Sequence, residues 1–266
     1  MDLNRAFKYG DGLFETIRVS NGAILFLEAH FARLSKGLNI LRMQNSQQPL
    51  SIEKFQKILE DFLSKQSDAN LRIRITFFRQ GAGLYTPQET DYDYYIESST
   101  LESASFELNK KGFHLGLCTA VQLPIDQLSN LKTTSALPYV LAALEKKEKG
   151  WSDCLILNSE GAIAESIAAN VFLLKGKQVF TPALNQGCIA GVMRQNVLKI
   201  IKELDLELCE GQVFWEEVKQ ADEIWLSNAV RGIQWVAQVM DCSKLLENSR
   251  AKQLISRLNM VINPKL

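Results

Sequence analysis

Segments with strand periodicity and helix periodicity alternate along this chain, which restricts it to folds that combine helices with sheets. Residues 71–77 alternate apolar and polar side chains, as a half-buried strand does. Residues 28–43 instead place their apolar side chains three or four positions apart, as an amphipathic helix does. The order of such segments predicts an α/β protein with mixed sheets in two domains, rather than a doubly wound parallel sheet.

The other apolar patterns predict the remaining elements. Strands are expected at 13–19, 23–26, 92–98, 113–120, 153–157, 169–174, 178–181, 223–226 and 233–239. Helices are expected at 51–65, 138–149, 192–204 and 245–261. Ser51 is the expected cap of the first of these helices, and Gly150 ends the second.

A break in the pattern at residues 122–129, which contains Pro124, divides the chain. We predict a smaller N-terminal α/β domain at 1–121, an interdomain linker at 122–129 and a larger C-terminal domain at 130–266. The chain has 266 residues, of which 46% are hydrophobic, and is therefore long enough for two domains with a substantial core.

Composition excludes several classes of function. The 30 basic and 30 acidic residues balance, so there is no electrostatic case for binding nucleic acid or an anionic membrane. The five cysteines are scattered without a CxxC pair, which suggests neither a metal site nor a disulfide framework. No apolar run approaches the roughly 20 residues of a membrane span, and residues 1–8 are too charged for a signal peptide. We expect a cytoplasmic protein. With two histidines, a His-based hydrolase is poorly supported.

Three separate segments carry residues suited to one kind of chemistry. Lys132 lies in the hydroxyl-rich stretch 130–135, and a lysine amine can hold an aldehyde cofactor as a Schiff base. Glu165 lies in an apolar run, where a carboxylate can pair with a pyridinium nitrogen. Segment 187–194 opens a helical pattern whose first backbone amides can hold a phosphate. Together these are the parts of a pyridoxal-phosphate site.

Each feature alone also has an ordinary structural explanation. Lys132 would more often be an exposed loop lysine, and Glu165 a surface glutamate on an irregular turn. Arg33 could add a bidentate contact to the phosphate, but it would more often be a surface helix residue. Glycines before a helix are common. The hypothesis therefore depends on the combination.

Six segments together point to one family. They are Tyr-Gly-Asp-Gly-Leu-Phe-Glu-Thr-Ile-Arg at 9–18, His-Phe-Ala-Arg-Leu at 30–34, Leu-Lys at 131–132, Glu165 with Ala-Ala-Asn-Val-Phe at 168–172, Gly-Val-Met-Arg at 191–194 and Ala-Asp-Glu-Ile-Trp-Leu-Ser-Asn at 221–228. In this order they resemble the class IV aminotransferase family, the fold-type IV pyridoxal-phosphate enzymes. The resemblance covers about residues 5–240. It implies the two-domain architecture of D-amino-acid and branched-chain aminotransferases, pyridoxal 5'-phosphate bound by the C-terminal domain, and a homodimer.

The resemblance also assigns roles to residues. It makes Lys132 the Schiff-base lysine, Glu165 the partner of the pyridine nitrogen and Arg33 the phosphate-binding arginine. The backbone amides of Val192 and Met193 would face the phosphate. Further cofactor contacts are implied for Asn170, Asn228 and Ala229.

The family contains branched-chain and D-amino-acid aminotransferases and 4-amino-4-deoxychorismate lyases. Segments 168–172, 191–194 and 227–229 resemble the lyases, whereas Phe-Glu-Thr-Ile-Arg at 14–18 resembles the aminotransferases. We predict a lyase that eliminates pyruvate to give 4-aminobenzoate in folate biosynthesis. The alternatives are an aminotransferase that acts on branched-chain or D-amino acids with a 2-oxo acid, and a non-catalytic α/β protein that has kept the fold for binding.

The lyase hypothesis names further residues. Lys132 would remove the proton from the amine-bearing carbon, and either Thr16 or Lys132 would protonate the departing group. The substrate carries two carboxylates, so arginines should line its pocket. The candidates for substrate contacts are Tyr9, Arg18, Arg79 and Arg231, although arginines at strand ends often pair only with surface acids.

Two features depart from the family pattern. Branched-chain aminotransferases place a tyrosine five residues after the lysine, where this chain has Leu137, and the nearest tyrosine is Tyr139. The family also has a strand before segment 9–18. Eight residues precede that segment here, so this strand is expected to be short or missing.

Overall fold

The computed structural model of the protein describes residues 4–45 and 49–262. The chain divides into two compact units. The first comprises Met1–Ala104 and Leu131–Ala136, and the second comprises Ser105–Asn130 and Leu137–Leu266. The segment Leu131–Ala136 therefore packs with the first unit, although its chain neighbours on both sides belong to the second.

Helices and an antiparallel sheet make up the first unit. Its elements are α1 (Arg5–Tyr9), β1 (Gly12–Ser20), β2 (Ala23–Ile24), α2 (Leu27–Ile40), α3 (Ile52–Leu63), β3 (Leu71–Arg79) and β4 (Tyr92–Thr100). The strands lie in the order β2-β1-β3-β4, and each pairs antiparallel with its neighbours.

The two faces of this sheet differ in character. Alternate residues of β3 are buried and pack with α2 and α3 in the core, among them Ile73, Ile75 and Phe77. The residues between them are half-buried on the opposite face, which is polar and includes Arg72 and Arg74. This alternation confirms the strand predicted at 71–77.

A mixed sheet forms the centre of the second unit. Its elements are β5 (Phe113–Leu123), α4 (Leu137–Lys149), β6 (Asp153–Asn158), β7 (Ile163–Ser166), β8 (Asn170–Lys175), β9 (Gln178–Pro182), α5 (Val192–Glu203), β10 (Glu207–Gly211), α6 (Trp215–Gln220), β11 (Glu223–Asn228), β12 (Gly232–Val239) and α7 (Ser249–Ile262). The strand order is β10-β9-β8-β11-β12-β5-β6-β7. Strand β5 is parallel to β12 and β6, while β11 is antiparallel to both of its neighbours. The prediction of mixed sheets is confirmed.

The units divide the chain at a different place from the sequence-based boundary. The sequence predicts strand β5 in the N-terminal domain at 1–121, but β5 pairs with β12 and β6 in the sheet of the second unit. The division lies between Ala104 and Ser105, before the predicted linker at 122–129. Hydrophobic periodicity finds a strand but not its pairing partners, so it could not assign β5 to a sheet.

The longer predicted elements are present, with shifts of a few residues at their ends. The strand predicted at 23–26 ends at Ile24, because Phe26 adopts a left-handed φ of 57° where α2 begins. Helix α7 begins at Ser249, four residues later than predicted. The short elements α1, β7, β10 and α6 were not predicted. A helix lies at Arg5–Tyr9, in the region where the family resemblance implies a strand that is short or missing; residues 1–3 lie outside the described part of the chain.

Within residues 4–45 and 49–262, no helix is both long enough and apolar enough to cross a bilayer.

Candidate active site

The segment that carries Lys132 extends the sheet of the first unit. The carbonyl of Lys132 accepts a hydrogen bond from the N–H of Phe14 at 2.8 Å, and the N–H of Thr134 donates to the carbonyl of Gly12 at 2.9 Å. Leu131 is buried in the core of this unit. Because successive side chains of a strand point to opposite faces, the burial of Leu131 places the Lys132 side chain on the polar face.

Two cations lie against the ring of Phe14 on that face. Cζ of Arg74 is 3.6 Å from the ring centroid, and Nζ of Lys132 is 4.5 Å from it. Burial lowers the pKa of Arg74, Glu97 raises it and Arg72 lowers it. Attraction to one aromatic ring thus concentrates positive charge beside Lys132, in a place suited to an anionic substrate.

Thr16 lies two residues after Phe14 on β1, and it pairs with Arg74 on the neighbouring strand β3. The period of two along a strand puts Thr16 on the same face as Phe14 and Lys132. The two predicted catalytic residues therefore share one face of the first unit.

A buried charge cluster occupies the other side of β1. Oε1 of Glu15 accepts from Nε of Arg33 at 2.8 Å, and Oε2 accepts from a terminal nitrogen of Arg33 at 2.5 Å and from Nδ1 of His30 at 2.7 Å. Burial raises the pKa of Glu15, but Arg33 and His30 bring it down to about 2. Arg33, the predicted phosphate ligand, is held in one orientation by this bidentate pair.

Glu165 lies in the second unit, on strand β7 rather than on a surface turn. Only 3% of the residue is exposed. Its carboxylate accepts hydrogen bonds from the hydroxyl of Tyr139 at 2.7 Å, the side-chain amide of Asn170 at 3.3 Å and the N–H of Ile189 at 3.0 Å. A buried carboxylate needs such donors, and these three come from three different parts of the unit.

Tyr139 is the tyrosine closest in sequence to the lysine, and it belongs to this cluster. Burial and the adjacent carboxylate of Glu165 raise the pKa of Tyr139 well above its usual value. The hydroxyl therefore keeps its proton and donates to Glu165. The position five residues after the lysine, Leu137, is instead 73% exposed.

The N-terminus of α5 lies beside Asn170. The cap residue Gly191 has no room for a side chain, since a Cβ there would be 2.0 Å from Oδ1 of Asn170. Val192 and Met193 open the helix and are buried, and its first turn holds no acidic residue. Backbone amides at such a helix start attract anions.

Strand β11 brings a further polar group to the same place. Ser227 pairs directly with Asn170 across β11 and β8. The hydroxyl of Ser227 is buried and has no hydrogen-bond partner among the described residues. The next residue, Asn228, precedes the turn between β11 and β12. Its side-chain Oδ1 accepts hydrogen bonds from the N–H groups of Val230 at 3.1 Å and Arg231 at 2.8 Å.

Asn130 ties the start of the lysine segment to the loop before α5. Its side-chain amide donates to the carbonyls of Leu184 at 2.7 Å and Cys188 at 2.8 Å. Its own carbonyl accepts from the N–H of Ala190 at 3.1 Å. All of these bonds lie within the second unit, in which Asn130 is the last residue before Leu131.

Arg79, predicted as a substrate contact, instead makes hydrogen bonds within the first unit. It is buried and donates to Asp11 at 3.0 Å and to the carbonyls of Leu41 at 2.5 Å and Arg42 at 3.2 Å. These contacts join β3 to the turn after α2. Since the guanidinium is committed to them, we do not retain Arg79 as a substrate ligand.

The other predicted substrate residues lie on different elements of the structure. Arg18 is buried and donates to the carbonyl of Ser103, which joins β1 to the end of the first unit. Tyr9 ends α1, where its ring contacts Arg5 and Tyr85. Arg231 is exposed in the turn between β11 and β12.

Sequence reasoning missed three residues that the structure places in these clusters. The sequence shows Arg74 only as part of an alternating strand, and its position opposite Thr16 follows from the pairing of β1 with β3, which a single sequence does not record. Tyr139 was noted only for its offset from the family position. The buried hydroxyl of Ser227 gives no sequence signal, because serine is common on surfaces.

The residues present fit pyridoxal phosphate. Glu165 is a buried carboxylate within a set of hydrogen-bond donors. The hydroxyl of Ser227 is buried without a hydrogen-bond partner among the described residues, and backbone amides at the start of α5 can attract an anion. Considered by itself, the first unit carries an amine, Lys132, and a guanidinium held by Glu15, Arg33.

Comparison with known proteins agrees with a pyridoxal-phosphate cofactor. The model of the family described as "Amino-transferase class IV" matches residues 12–239. An aminodeoxychorismate lyase of Vibrio harveyi is 27% identical over 241 residues, which cover 89% of this chain and 86% of that protein. A probable branched-chain-amino-acid aminotransferase of Synechocystis is 27% identical over 245 residues, covering 88% of this chain and 78% of that protein.

A solved structure shares the fold. The crystal structure of a 4-amino-4-deoxychorismate lyase from Pseudomonas aeruginosa superposes with a TM-score of 0.82 at 26% identity, covering 97% of this chain and 93% of that chain. The two-unit mixed α/β architecture is therefore that of the fold-type IV enzymes, as predicted.

Proposed function

Because the chain belongs to the class IV aminotransferase family, whose members are pyridoxal-phosphate-dependent enzymes, we propose that it is a 4-amino-4-deoxychorismate lyase. Such a lyase eliminates pyruvate from its substrate and leaves 4-aminobenzoate, a step in folate biosynthesis. The observation that carries the cofactor assignment, which a lyase shares with an aminotransferase, is the buried carboxylate of Glu165 with its bonds to Tyr139, Asn170 and Ile189. The choice of a lyase is supported by the lyase relatives and by the sequence Gly-Val-Met-Arg at 191–194.

Each unit carries residues that we assign to the cofactor. Lys132 Nζ would bind its aldehyde group, and Glu165 would lie against its ring nitrogen. Arg33 and the backbone amides of Val192 and Met193 would bind its phosphate. Further contacts are proposed for Asn170, Asn228, Ala229 and the newly found Ser227. When bound, pyridoxal phosphate supplies an electron sink for the carbon that loses a proton.

Lys132 would also move the protons of the reaction. Once the amine of the substrate has displaced it from the aldehyde group, Lys132 Nζ would take the proton from the amine-bearing carbon of the substrate. The carbon–oxygen bond to the enolpyruvyl group then breaks, and a proton delivered by Lys132 Nζ or Thr16 Oγ1 completes the departing pyruvate. Both side chains lie on the face of the first unit that carries Phe14, which supports either assignment.

Arg74 is the residue we propose for a substrate carboxylate. The substrate carries two carboxylates, and Arg74 shares the ring of Phe14 with Lys132. Its guanidinium lies 3.8 Å from Glu97, a distance at which an ion pair is weak enough to be exchanged for a ligand. Arg18, Tyr9 and Arg231 remain candidates for the second carboxylate.

An aminotransferase is the second candidate, and it would use the same cofactor residues. The relatives named as branched-chain aminotransferases favour it, as does Phe-Glu-Thr-Ile-Arg at 14–18. The two enzymes differ in how the cofactor-loaded protein responds to an amino acid that is added without a 2-oxo acid. An aminotransferase loses its visible absorbance on adding an amino acid and regains it with a 2-oxo acid. The lyase proposal expects no such cycle with D-alanine or branched-chain amino acids, and a complete cycle would overturn it.

We further propose that the enzyme is a cytoplasmic homodimer. Helix α4 carries an exposed apolar stripe at the spacing of one helical face, formed by Leu137, Val140, Leu141 and Leu144. Such a stripe on a helix favours burial against a partner surface. Light scattering should give twice the mass of 30.0 kDa, and Leu141→Asp should lower it towards one chain. A monomeric wild-type protein would contradict the dimer.

A further inference from the structure

His30 presents an unexplained polar atom in the interior of the first unit. The residue is completely buried, with Nδ1 at 2.7 Å from Oε2 of Glu15. Its second ring nitrogen, Nε2, is buried and has no hydrogen-bond partner among the described residues. Most buried polar atoms in proteins are paired, so an orphaned ring nitrogen needs a reason.

The bond to Glu15 fixes which nitrogen carries the proton. Glu15 is ionised, since its pKa is about 2, and a carboxylate can only accept hydrogen bonds. Nδ1 of His30 must therefore donate, which leaves Nε2 of the neutral ring as a bare acceptor. Protonation at Nε2 would convert it into a cation without disturbing the bond to Glu15.

The charges that act on His30 come from three parts of the first unit. Glu15 on β1 is negative, whereas Arg33 on α2 and Lys132 in the segment Leu131–Ala136 are positive. Burial lowers the pKa of His30, the bond and charge of Glu15 raise it, and Arg33 and Lys132 lower it. Burial is the largest of these causes, and the two cations that add to it are the residues assigned above to the phosphate and the aldehyde of the cofactor. An anion bound at Arg33 would offset that positive charge.

We propose that His30 takes up a proton at Nε2 when a phosphorylated ligand binds at Arg33, so that Glu15 links the phosphate site to a buried proton acceptor. The proton comes from solvent. The proposal rests on the assignment of Arg33 to the phosphate. It makes His30 a positioning residue, because the protonated ring holds Glu15 and thus Arg33 more firmly while the phosphate is bound.

The chain has only two histidines, so imidazole resonances can test this directly. We would label the full-length protein with [13Cε1]histidine and titrate pH alone, with pyridoxamine phosphate and with pyridoxamine. Neither ligand has an aldehyde, so Lys132 is not modified. His114→Asn assigns the resonances, and His114 in the wild-type protein is the internal control.

The pKa of His30 should rise by about 1 or more with pyridoxamine phosphate, as expected when a negative charge approaches, and should not rise with pyridoxamine. His114 should not respond. Calorimetry in two buffers should show that wild-type protein takes up more protons on binding than His30→Asn, whose amide can still donate to Glu15.

Bound pyridoxamine phosphate with an unchanged His30 would overturn this inference and leave the proposed function intact. An equal rise with pyridoxamine would also overturn it, because the phosphate would not be the cause. Failure of both ligands to bind would instead refute the cofactor site, and the inference with it.

Discussion

The hydroxyl of Tyr139 lies 2.7 Å from Oε1 of Glu165, which joins helix α4 to strand β7 in the second unit. Helix α4 begins directly after the segment that carries Lys132. The tyrosine keeps its proton because burial and the carboxylate raise its pKa. The carboxylate proposed for the cofactor ring is thus oriented by the element that follows the proposed catalytic lysine.

Tyr139→Phe removes this donor and leaves Glu165 with one bond fewer. Hydrogen bonds to charged groups contribute about 1.5–3 kcal/mol, so the free energy of unfolding should fall by that amount in the cofactor-free protein. Urea unfolding measures it. Tyr85→Phe is the control, since Tyr85 is 90% exposed and should change stability by less than about 0.5 kcal/mol. Equal stabilities for the two variants would contradict the role of the bond.

Lys132→Ala should abolish the visible absorbance of the cofactor-loaded protein, because no other residue is assigned to bind the aldehyde. The absorption spectrum and trapping by borohydride measure this. Lys177→Ala, an exposed lysine in the turn between β8 and β9, should retain both signals. A borohydride-reducible chromophore in the Lys132 variant would rule out the assignment.

Gly191→Ala should disturb the start of α5. A Cβ would lie 2.0 Å from Oδ1 of Asn170, so the amide must move and weaken its bond to Glu165. We expect the affinity for pyridoxamine phosphate to fall about tenfold or more, equivalent to losing roughly 1.4 kcal/mol. Gly211→Ala is the matched control, since its Cβ would meet nothing within 4 Å. Unchanged binding in the Gly191 variant would show that this helix start does not contact the ligand.

Arg74→Gln should raise KM for aminodeoxychorismate without removing the cofactor absorbance. Loss of a charged hydrogen bond to a carboxylate corresponds to an increase of about tenfold to a hundredfold. Steady-state kinetics measure it, with Arg257→Gln on the exposed face of α7 as control. A KM unchanged from the wild-type value would rule out Arg74 as a substrate ligand and leave Arg18, Tyr9 and Arg231 as the candidates.

Glu145→Gln should change how stability depends on pH. Glu145 accepts from the hydroxyl of Thr119 at 2.7 Å and the N–H of Ala120 at 2.9 Å. Burial raises its pKa, but its donors bring it down from 4.5 to about 2. Because the folded value is the lower one, its contribution is complete above pH 4.5 and is lost as pH falls towards 2.

The glutamine variant should therefore be less stable by about 1–3 kcal/mol at pH 7, and the difference should shrink below pH 4.5. Urea unfolding at pH 7 and pH 3 measures it. Glu148→Gln on the exposed side of the same helix is the control. A difference that does not depend on pH would refute the charged state of Glu145.

Periodicity predicted most long elements of this fold, because burial of one face leaves a regular pattern in the sequence. It could not predict that β5 pairs with β12 and β6, or that Leu131–Ala136 packs with the first unit. Both depend on contacts between residues far apart in the chain, and a single sequence does not record them.

For the same reason, the sequence predicted some residues of the candidate site and not others. Lys132 and Glu165 carry motifs that resemble a family, and Glu165 proved to be buried on a strand. Arg79 was a plausible ligand by residue type, but tertiary contacts commit it to Asp11 and backbone carbonyls. Arg74 became a candidate only when pairing placed it across from Thr16.

The central claim is tested most directly by product release from aminodeoxychorismate, using purified protein loaded with pyridoxal phosphate and no added 2-oxo acid. We predict 4-aminobenzoate and pyruvate in equal amounts over many turnovers, and neither product with Lys132→Ala. A loaded wild-type protein that releases no 4-aminobenzoate, yet interconverts amino acids and 2-oxo acids, would contradict the lyase proposal and establish an aminotransferase.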